Sequence, residues 1–191
     1  YNKIGERAVA IARSRLNWSY SQAKRTLEGS WDCSSMVARC YQEAGFDLKA
    51  IMGAQWCMTT VGWKDFATKN KQFIEEADLQ PGDVIWYGRP SGNHMMMYAG
   101  NGQVIHAKGE KYGTVYEPLA NTGYRSARQV YFFRPYLNLL DESADDSSDD
   151  AFLADSSGYG PDNGIVMQVP GGTVWTGWTV FESGRERFNL A

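Results

Sequence analysis

The chain has 191 residues, of which 43% are hydrophobic and 14% aromatic, so it can bury one substantial core and carry a small appendage. Its formal net charge of −3 and its pI near 5.4 leave no general basic field, which argues against nucleic acid as a partner. The sequence shows neither a membrane span nor a signal peptide. Because it starts with Tyr1 rather than Met, we expect a processed or excised piece.

Two amphipathic helices are predicted first along the chain. Apolar residues recur at helical spacing from Ile4 to Leu16, which predicts a helix that covers the core. The second helix is predicted from Asp32, a suitable N-cap residue, to Gly45, a suitable stop. Cys33 then lies in the first turn of this second helix.

Short runs of β-forming residues follow a weaker helical pattern at residues 55–70 and a turn at Pro81-Gly82. Further turn residues separate the runs, which predicts an antiparallel sheet or small barrel against which the N-terminal helices pack. The expected fold class is therefore α+β. The predicted strands are Val84–Tyr87, Met95–Tyr98, Gln103–Ala107, Thr114–Glu117 and Val130–Arg134.

The composition changes after the predicted sheet, which suggests three parts: a main domain at residues 1–138, a linker and a short C-terminal segment. Residues 139–163 are crowded with Asp and Ser, and Lys and Arg are absent from residues 135–184, which is typical of a solvated linker. Residues 164–191 contain short β-like runs. They form a hairpin, an extra strand pair packed on the main domain, or the start of another module.

The cysteines are too few for a disulfide-rich scaffold and lack the paired spacing of a zinc site. Cys40 and Cys57 are best explained as small buried hydrophobic residues, and whether they pair is left open. Cys33 differs, because the helix dipole and free backbone N–H groups at a helix start favour a thiolate. Its own N–H is placed to help hold the oxyanion that forms when a carbonyl is attacked.

The two histidines of the chain both follow Cys33, at positions 94 and 106. His94 precedes a predicted strand and is the first choice for the general base. His106 is expected on the returning strand beside His94, where it would orient the base and fix its tautomer. Zinc binding by these three residues is disfavoured because no close ligand pair exists, so we expect no metal and no cofactor.

Four segments with matching order and spacing resemble the NlpC family of bacterial cell-wall cysteine peptidases. The resemblance spans about residues 4–135. It implies a papain-like α+β fold, a papain-like catalytic domain at residues 1–138, peptidoglycan stem peptides as substrate, and a triad in which Cys33 is the nucleophile, His94 the base and His106 the orienting residue. The segments are Trp31-Asp32-Cys33-Ser34-Ser35, Leu79-Gln80-Pro81-Gly82-Asp83-Val84, Asn93-His94 and the run from Tyr98 to His106. One departure is Ser35, where many members have Gly, so the room beside the nucleophile differs.

A second likeness concerns residues 19–21, which are similar to a Ser-Tyr-Ser segment of phage endolysin amidases. It implies that Tyr20 faces the site and supports the oxyanion or the substrate. Asp32 and Ser34 complete the expected oxyanion- and substrate-binding residues, although Asp32 is equally well explained as a helix cap.

The resemblances imply a peptidoglycan hydrolase that acts outside the cytoplasm, at the cell wall or on a virion. It is either an endopeptidase or an N-acetylmuramoyl-L-alanine amidase, and a phage or tail-associated lysin is included. Additional targeting domains outside this chain are compatible with that role. Two other classes stay open: a transglutaminase-like or protease-like effector that acts on a protein, and a non-catalytic wall-binding module.

Overall fold

The structure is a computed structural model. The chain forms two compact units, residues 1–139 and residues 140–191. The predicted acidic linker at residues 139–163 falls, apart from its first residue, outside the described part of the chain and stays a prediction. The described residues are 3–89, 92–139, 167–168, 174–180 and 186–190.

The first unit begins with helices, and within the described residues there are four α-helices. They are α1 (Lys3–Arg13), α2 (Cys33–Glu43), α3 (Leu48–Met52) and α4 (Thr60–Lys69). The two strongly periodic predictions are confirmed as α1 and α2, although α1 ends before Leu16. The helical pattern at residues 55–70 corresponds to α4, which Thr59 caps by accepting a hydrogen bond from the Gly62 N–H at 3.2 Å.

An antiparallel six-stranded sheet follows the helices, with strand order β3-β8-β4-β5-β6-β7. The five predicted strands are confirmed as β4 to β8, and with the helices they confirm the α+β class. The strands β1 and β2 form a separate parallel pair. The strands of this unit are β1 (Ser19–Tyr20), β2 (Ser30–Trp31), β3 (Phe73–Ile74), β4 (Val84–Arg89), β5 (Gly92–Gly100), β6 (Gln103–Gly109), β7 (Gly113–Pro118) and β8 (Val130–Phe133).

The six-stranded sheet buries side chains on both faces. On β5, Met95 and Met97 pack into the large cluster that contains the buried residues of α1, α2 and α4. Met96 points the other way, into a smaller cluster with Tyr87 and Tyr124. Because successive residues of a strand face opposite sides, three consecutive buried methionines require a strand that is covered on both faces.

The turn before β4 fixes the helices against the sheet. Gly82 has a φ of +98°, and a Cβ built there would lie 2.8 Å from the carbonyl carbon of Gly5 in α1. The Tyr41 hydroxyl of α2 donates a hydrogen bond to the Gly82 carbonyl at 2.7 Å. The next residue, Asp83, is buried and accepts two hydrogen bonds from Arg134 at 2.9 Å. The helix α2 packs on β5 and β6.

In the second unit the described residues form a three-stranded antiparallel sheet with the order β11-β10-β9. Its strands are β9 (Met167–Gln168), β10 (Val174–Val180) and β11 (Glu186–Leu190). They lie in the segment for which the sequence predicts β-like runs. Across the described ranges of the whole chain, no helix has the length and apolar character that crossing a membrane requires.

Candidate active site

Cys33 is the first residue of α2, and the turn around it is fixed by a reciprocal cap. The Asp32 carboxylate accepts a hydrogen bond from the Ser35 N–H at 2.8 Å, and the Ser35 hydroxyl accepts one from the Asp32 N–H at 2.8 Å. The predicted cap role of Asp32 is therefore confirmed. Ser35 stands where the sequence departs from the Gly of the resembled family. It is fully buried, and its hydroxyl takes part in the cap.

The thiol of Cys33 is 5% exposed and packs against β5. Burial raises its pKa to about 11, and the Asp32 charge also raises it, while backbone hydrogen bonds from Met95 and Ser34 and the charge of Arg89 lower it. At neutral pH the resting site therefore holds a neutral thiol. Burial therefore outweighs the helix start, which by itself favours the thiolate.

The two histidines and an acidic side chain form a continuous chain of hydrogen bonds across β5, β6 and β7. His94 Nε2 lies 2.7 Å from His106 Nδ1, and His106 Nε2 lies 2.7 Å from Glu117 Oε1. Lys108 Nζ donates to both Glu117 oxygens at 2.8 and 2.9 Å. The structure thus brings the two imidazoles together on adjacent strands, in the arrangement that the sequence predicts.

The donors and acceptors at the two ends of this chain determine both tautomers. Arg89 Nη2 lies 3.1 Å from His94 Nδ1, and because a guanidinium only donates, Nδ1 must be the acceptor. His94 Nε2–H then donates to His106 Nδ1, and His106 Nε2–H donates to the Glu117 carboxylate. The unprotonated nitrogen of His94 is therefore Nδ1.

Both imidazoles are neutral at physiological pH. Burial lowers the pKa of His94 well below its usual 6.5, and repulsion from a protonated His106 and from the charges of Arg89 and Lys108 acts in the same direction. Burial also lowers the pKa of His106 to about 4, although the hydrogen bond to Glu117 acts in the opposite direction. The contact between His106 and Glu117 is thus a hydrogen bond to a carboxylate and not an ion pair at neutral pH.

Cys33 and His94 are not joined by a hydrogen bond in this structure. The backbone of Met95 in β5 forms a hydrogen bond with the Cys33 thiol, and Met95 directly follows His94. Among the described residues, Cys33 and His94 form no hydrogen bond, and Arg89 holds His94 Nδ1 instead. Catalytic hydrogen bonds are often incomplete in ligand-free enzymes and tighten when substrate binds.

Asp32 and Ser34 point towards an arginine rather than towards an open surface. Arg25 Nε donates to Asp32 Oδ2 at 2.7 Å, and Arg25 Nη2 donates to the Ser34 hydroxyl at 2.9 Å. Burial raises the pKa of Asp32, but hydrogen bonds from Arg25 and Ser35 outweigh it, and the net pKa is lowered. Both side chains are almost fully buried, so in this state neither offers a free group to a substrate.

Tyr20 lies near the thiol, as its predicted role requires. It pairs with Trp31, two residues before Cys33, in the short parallel pair of β1 and β2. Burial raises the pKa of Tyr20, the charge of Asp32 and that of Cys33, when this thiol is ionised, raise it further, and the charge of Arg89 lowers it. These interactions place its hydroxyl within the electrostatic field of the site.

The sequence analysis missed Arg89, Lys108 and Glu117. Glu117 lies at the end of the predicted strand Thr114–Glu117, but the sequence does not specify which residues of the neighbouring strand it meets. Arg89 lies beyond the end of the predicted strand that became β4. No group of three or more His, Cys, Asp or Glu side chains among the described residues could hold a metal ion.

Comparison with known proteins places these residues inside a family match. A model of the NlpC/P60 family matches residues 16–134. The chain is 30% identical over 111 residues to a probable endopeptidase p60 of Listeria seeligeri, covering 56% of this chain and 19% of that protein. It is 35% identical over 88 residues to a gamma-DL-glutamyl hydrolase of Bacillus subtilis, covering 46% of this chain and 18% of that protein.

A solved structure shows the same fold. The chain aligns with NlpC1 of Trichomonas vaginalis with a TM-score of 0.52 and 25% identity, covering 71% of this chain and 45% of that one. This chain therefore spans less than half the length of each of the three proteins. The similarity concerns one domain, and that domain contains Cys33, His94 and His106.

Proposed function

Because the chain belongs to the NlpC/P60 family, we propose that it is a peptidoglycan hydrolase in which Cys33 attacks an amide of the stem peptide. The observation that carries this proposal is a thiol at the start of α2 that is hydrogen-bonded to the backbone of Met95, next to His94, whose imidazole begins the hydrogen-bonded chain with His106 and Glu117. The relatives support the class of reaction, since their names describe an endopeptidase and a glutamyl hydrolase.

The neutral thiol and the neutral imidazole define the first step. As the Cys33 sulfur bonds to the substrate carbonyl carbon, its proton passes to His94 Nδ1, and the carbonyl oxygen becomes an oxyanion. The Cys33 N–H, in the unpaired first turn of α2, donates to that oxyanion, and the Tyr20 hydroxyl, which interacts electrostatically with Cys33, assists it. The imidazolium formed on His94 is stabilised through His106 by the Glu117 carboxylate.

The second half of the reaction reverses the proton transfers. His94 gives its proton to the nitrogen of the departing amine as the C–N bond breaks, which leaves an acyl group on the Cys33 sulfur. Water then adds to the acyl carbon and gives a proton to His94, and this proton returns to the sulfur when the carboxylic acid product leaves. Before the first step, Arg89 must leave His94 Nδ1, because one lone pair cannot accept from both groups.

An endopeptidase is favoured over an amidase, because the two relatives are named as an endopeptidase and a gamma-DL-glutamyl hydrolase. The amidase and the phage or tail-associated lysin depend on the similarity of residues 19–21 alone. We place the activity at the cell wall, where the proposed substrate lies. Additional targeting domains outside this chain stay compatible with that location.

Digestion of purified sacculi tests the proposal. We expect wild type and the matched control Cys57→Ala to release fragments with a new amino terminus on the diamino acid, detected by mass spectrometry. Cys33→Ala should release none, His94→Ala almost none, and His106→Ala should retain more activity because its role is to orient. Free L-alanine amino termini would instead identify an amidase. Intact sacculi with the wild type would favour a protein-directed effector or a wall-binding module.

A further inference from the structure

A basic cavity lies directly beside the base of the proposed active site. It has a volume of about 440 Å³ and is formed by the end of β4 and the segment before β8. Arg89, which holds His94 Nδ1, is one of its walls. The lining residues are Gly88, Arg89, Ser126, Ala127, Arg128 and Gln129.

Both arginines of this cavity lie next to the same backbone contact. The pairing of β4 with β8 ends at Tyr87 and Val130, and beyond it the Gly88 N–H donates to the Gln129 carbonyl at 3.0 Å. Arg89 and Arg128 flank this contact and line the cavity together, and like charges that line one cavity repel each other. A protein that keeps two such charges together gains stability when an anion binds between them.

Both arginines have unused donors. Arg89 Nε is buried and has no hydrogen-bond partner. Arg128 is exposed and forms neither a hydrogen bond nor an ion pair with any residue that the structure describes. The described lining of the cavity contains no carboxylate that could neutralise the two charges. Leaving the buried Arg89 Nε without a partner is costly, and a ligand with acceptor oxygens would remove that cost.

We infer that Arg89 and Arg128 form a subsite for a free carboxylate that the substrate carries close to the scissile amide. The inference rests on the proposed function and names the chemistry of its substrate. A γ-linked glutamyl residue has such a group, since its α-carboxylate stays free when the side-chain carboxyl forms the amide. The planar guanidinium matches a carboxylate through two parallel hydrogen bonds.

The same contact prepares the base. When a carboxylate binds Arg89, the guanidinium turns from His94 Nδ1 towards the new oxygens, and the lone pair of Nδ1 becomes free for the Cys33 proton. A substrate without the carboxylate leaves Arg89 on His94. The carboxylate therefore acts on the chemical step as well as on binding.

Two synthetic peptides test the subsite without any mutation. They share a γ-glutamyl linkage and differ only in whether the α-group is a carboxylate or a carboxamide. We expect wild-type kcat/KM to be about ten- to a hundredfold higher for the carboxylate peptide, from the strength of charge-assisted hydrogen bonds. The difference should include kcat, because the carboxylate frees His94. A difference confined to KM would overturn the release of His94 by Arg89.

Variants then locate the effect. Arg128→Gln should bring the ratio of the two kcat/KM values towards one. Arg125→Gln is the matched control, since Arg125 is exposed, pairs with Glu76 at 2.6 Å and does not line the cavity, so the ratio should stay at the wild-type value. Thermal melting confirms that both variants fold.

The outcomes separate this inference from the proposed function. Equal cleavage of both peptides by the wild type, or an unchanged ratio in Arg128→Gln, would overturn the carboxylate subsite and leave the hydrolase proposal intact. If the wild type cleaves neither peptide and also leaves sacculi intact, the hydrolase proposal fails, and the subsite fails with it. Cleavage of sacculi without cleavage of either γ-glutamyl peptide overturns the subsite alone.

Discussion

Alkylation of Cys33 over a range of pH tests the ionisation state that the structure assigns to its thiol when no substrate is bound. The thiolate is the form that reacts with iodoacetamide. Burial raises the pKa of Cys33 to about 11, so pH 7 lies about 11 − 7 = 4 units below it. About one molecule in ten thousand is then ionised, and the rate should rise roughly tenfold per pH unit up to about pH 10.

Peptide-level mass spectrometry gives the rate for each cysteine in the same sample. Cys40 is fully buried with a pKa raised to about 12, so it should react more slowly than Cys33. The denatured chain supplies the reference for an ordinary thiol, which at pH 7 should react about a hundredfold faster than native Cys33. A rate for Cys33 that is level between pH 6 and 9 would show a preformed thiolate and refute the neutral resting site.

Three further predictions concern the hydrogen-bonded chain and the turn that holds the helices. Glu117→Gln should lower kcat about tenfold with little change in KM, because the amide stabilises an imidazolium less than a carboxylate does; Lys108→Gln is the control with a smaller effect, and steady-state kinetics measure both. The pKa of His106 is lowered in the folded protein, so as the pH falls this histidine is protonated in the unfolded chain before it is protonated in the folded one. The free energy of unfolding, measured by urea denaturation, should therefore decrease from pH 6.5 to about 4, by up to about 3 kcal/mol, and His106→Gln should flatten this decrease. Gly82→Ala should lower the free energy of unfolding by more than about 2 kcal/mol in thermal melts, because its Cβ would meet the Gly5 backbone at a φ of +98°. Gly102→Ala is the control, since Gly102 has open space around it, and it should cost about 1 kcal/mol. Equal costs would contradict the close packing of this turn on α1.

The elements that the sequence predicts are those with a periodic pattern of their own. The helix α2 has a cap, an apolar stripe and a glycine stop, and each of β4 to β8 is a run of β-formers between turns. The two-residue strands β1, β2 and β3 are too short for any period and depend on their partners. The helix α3 has five residues, which is also too few for helical periodicity to show.

The site divides in a similar way. Cys33, His94 and His106 are recognisable by residue type, order and spacing, because the chemistry needs a thiol and two imidazoles. Glu117 and Arg89 become part of the site only through contacts across strands. A single sequence predicts that strands exist but leaves their exact register open, so neighbours on the next strand cannot be assigned.

The pKa of Cys33 shows how burial can outweigh an effect that the sequence predicts correctly. The helix start was predicted correctly. At an exposed site a helix N-terminus favours a thiolate by no more than about 1 kcal/mol, which is less than one pKa unit. Burial acts in the opposite direction and raises the pKa from 9.0 to about 11, a change of about 3 kcal/mol. Even with the full contribution of the helix start, the thiol stays neutral at pH 7. The sequence shows the helix start but not how deeply the sulfur is buried, and this is why the proposed mechanism has His94 take the proton during the attack.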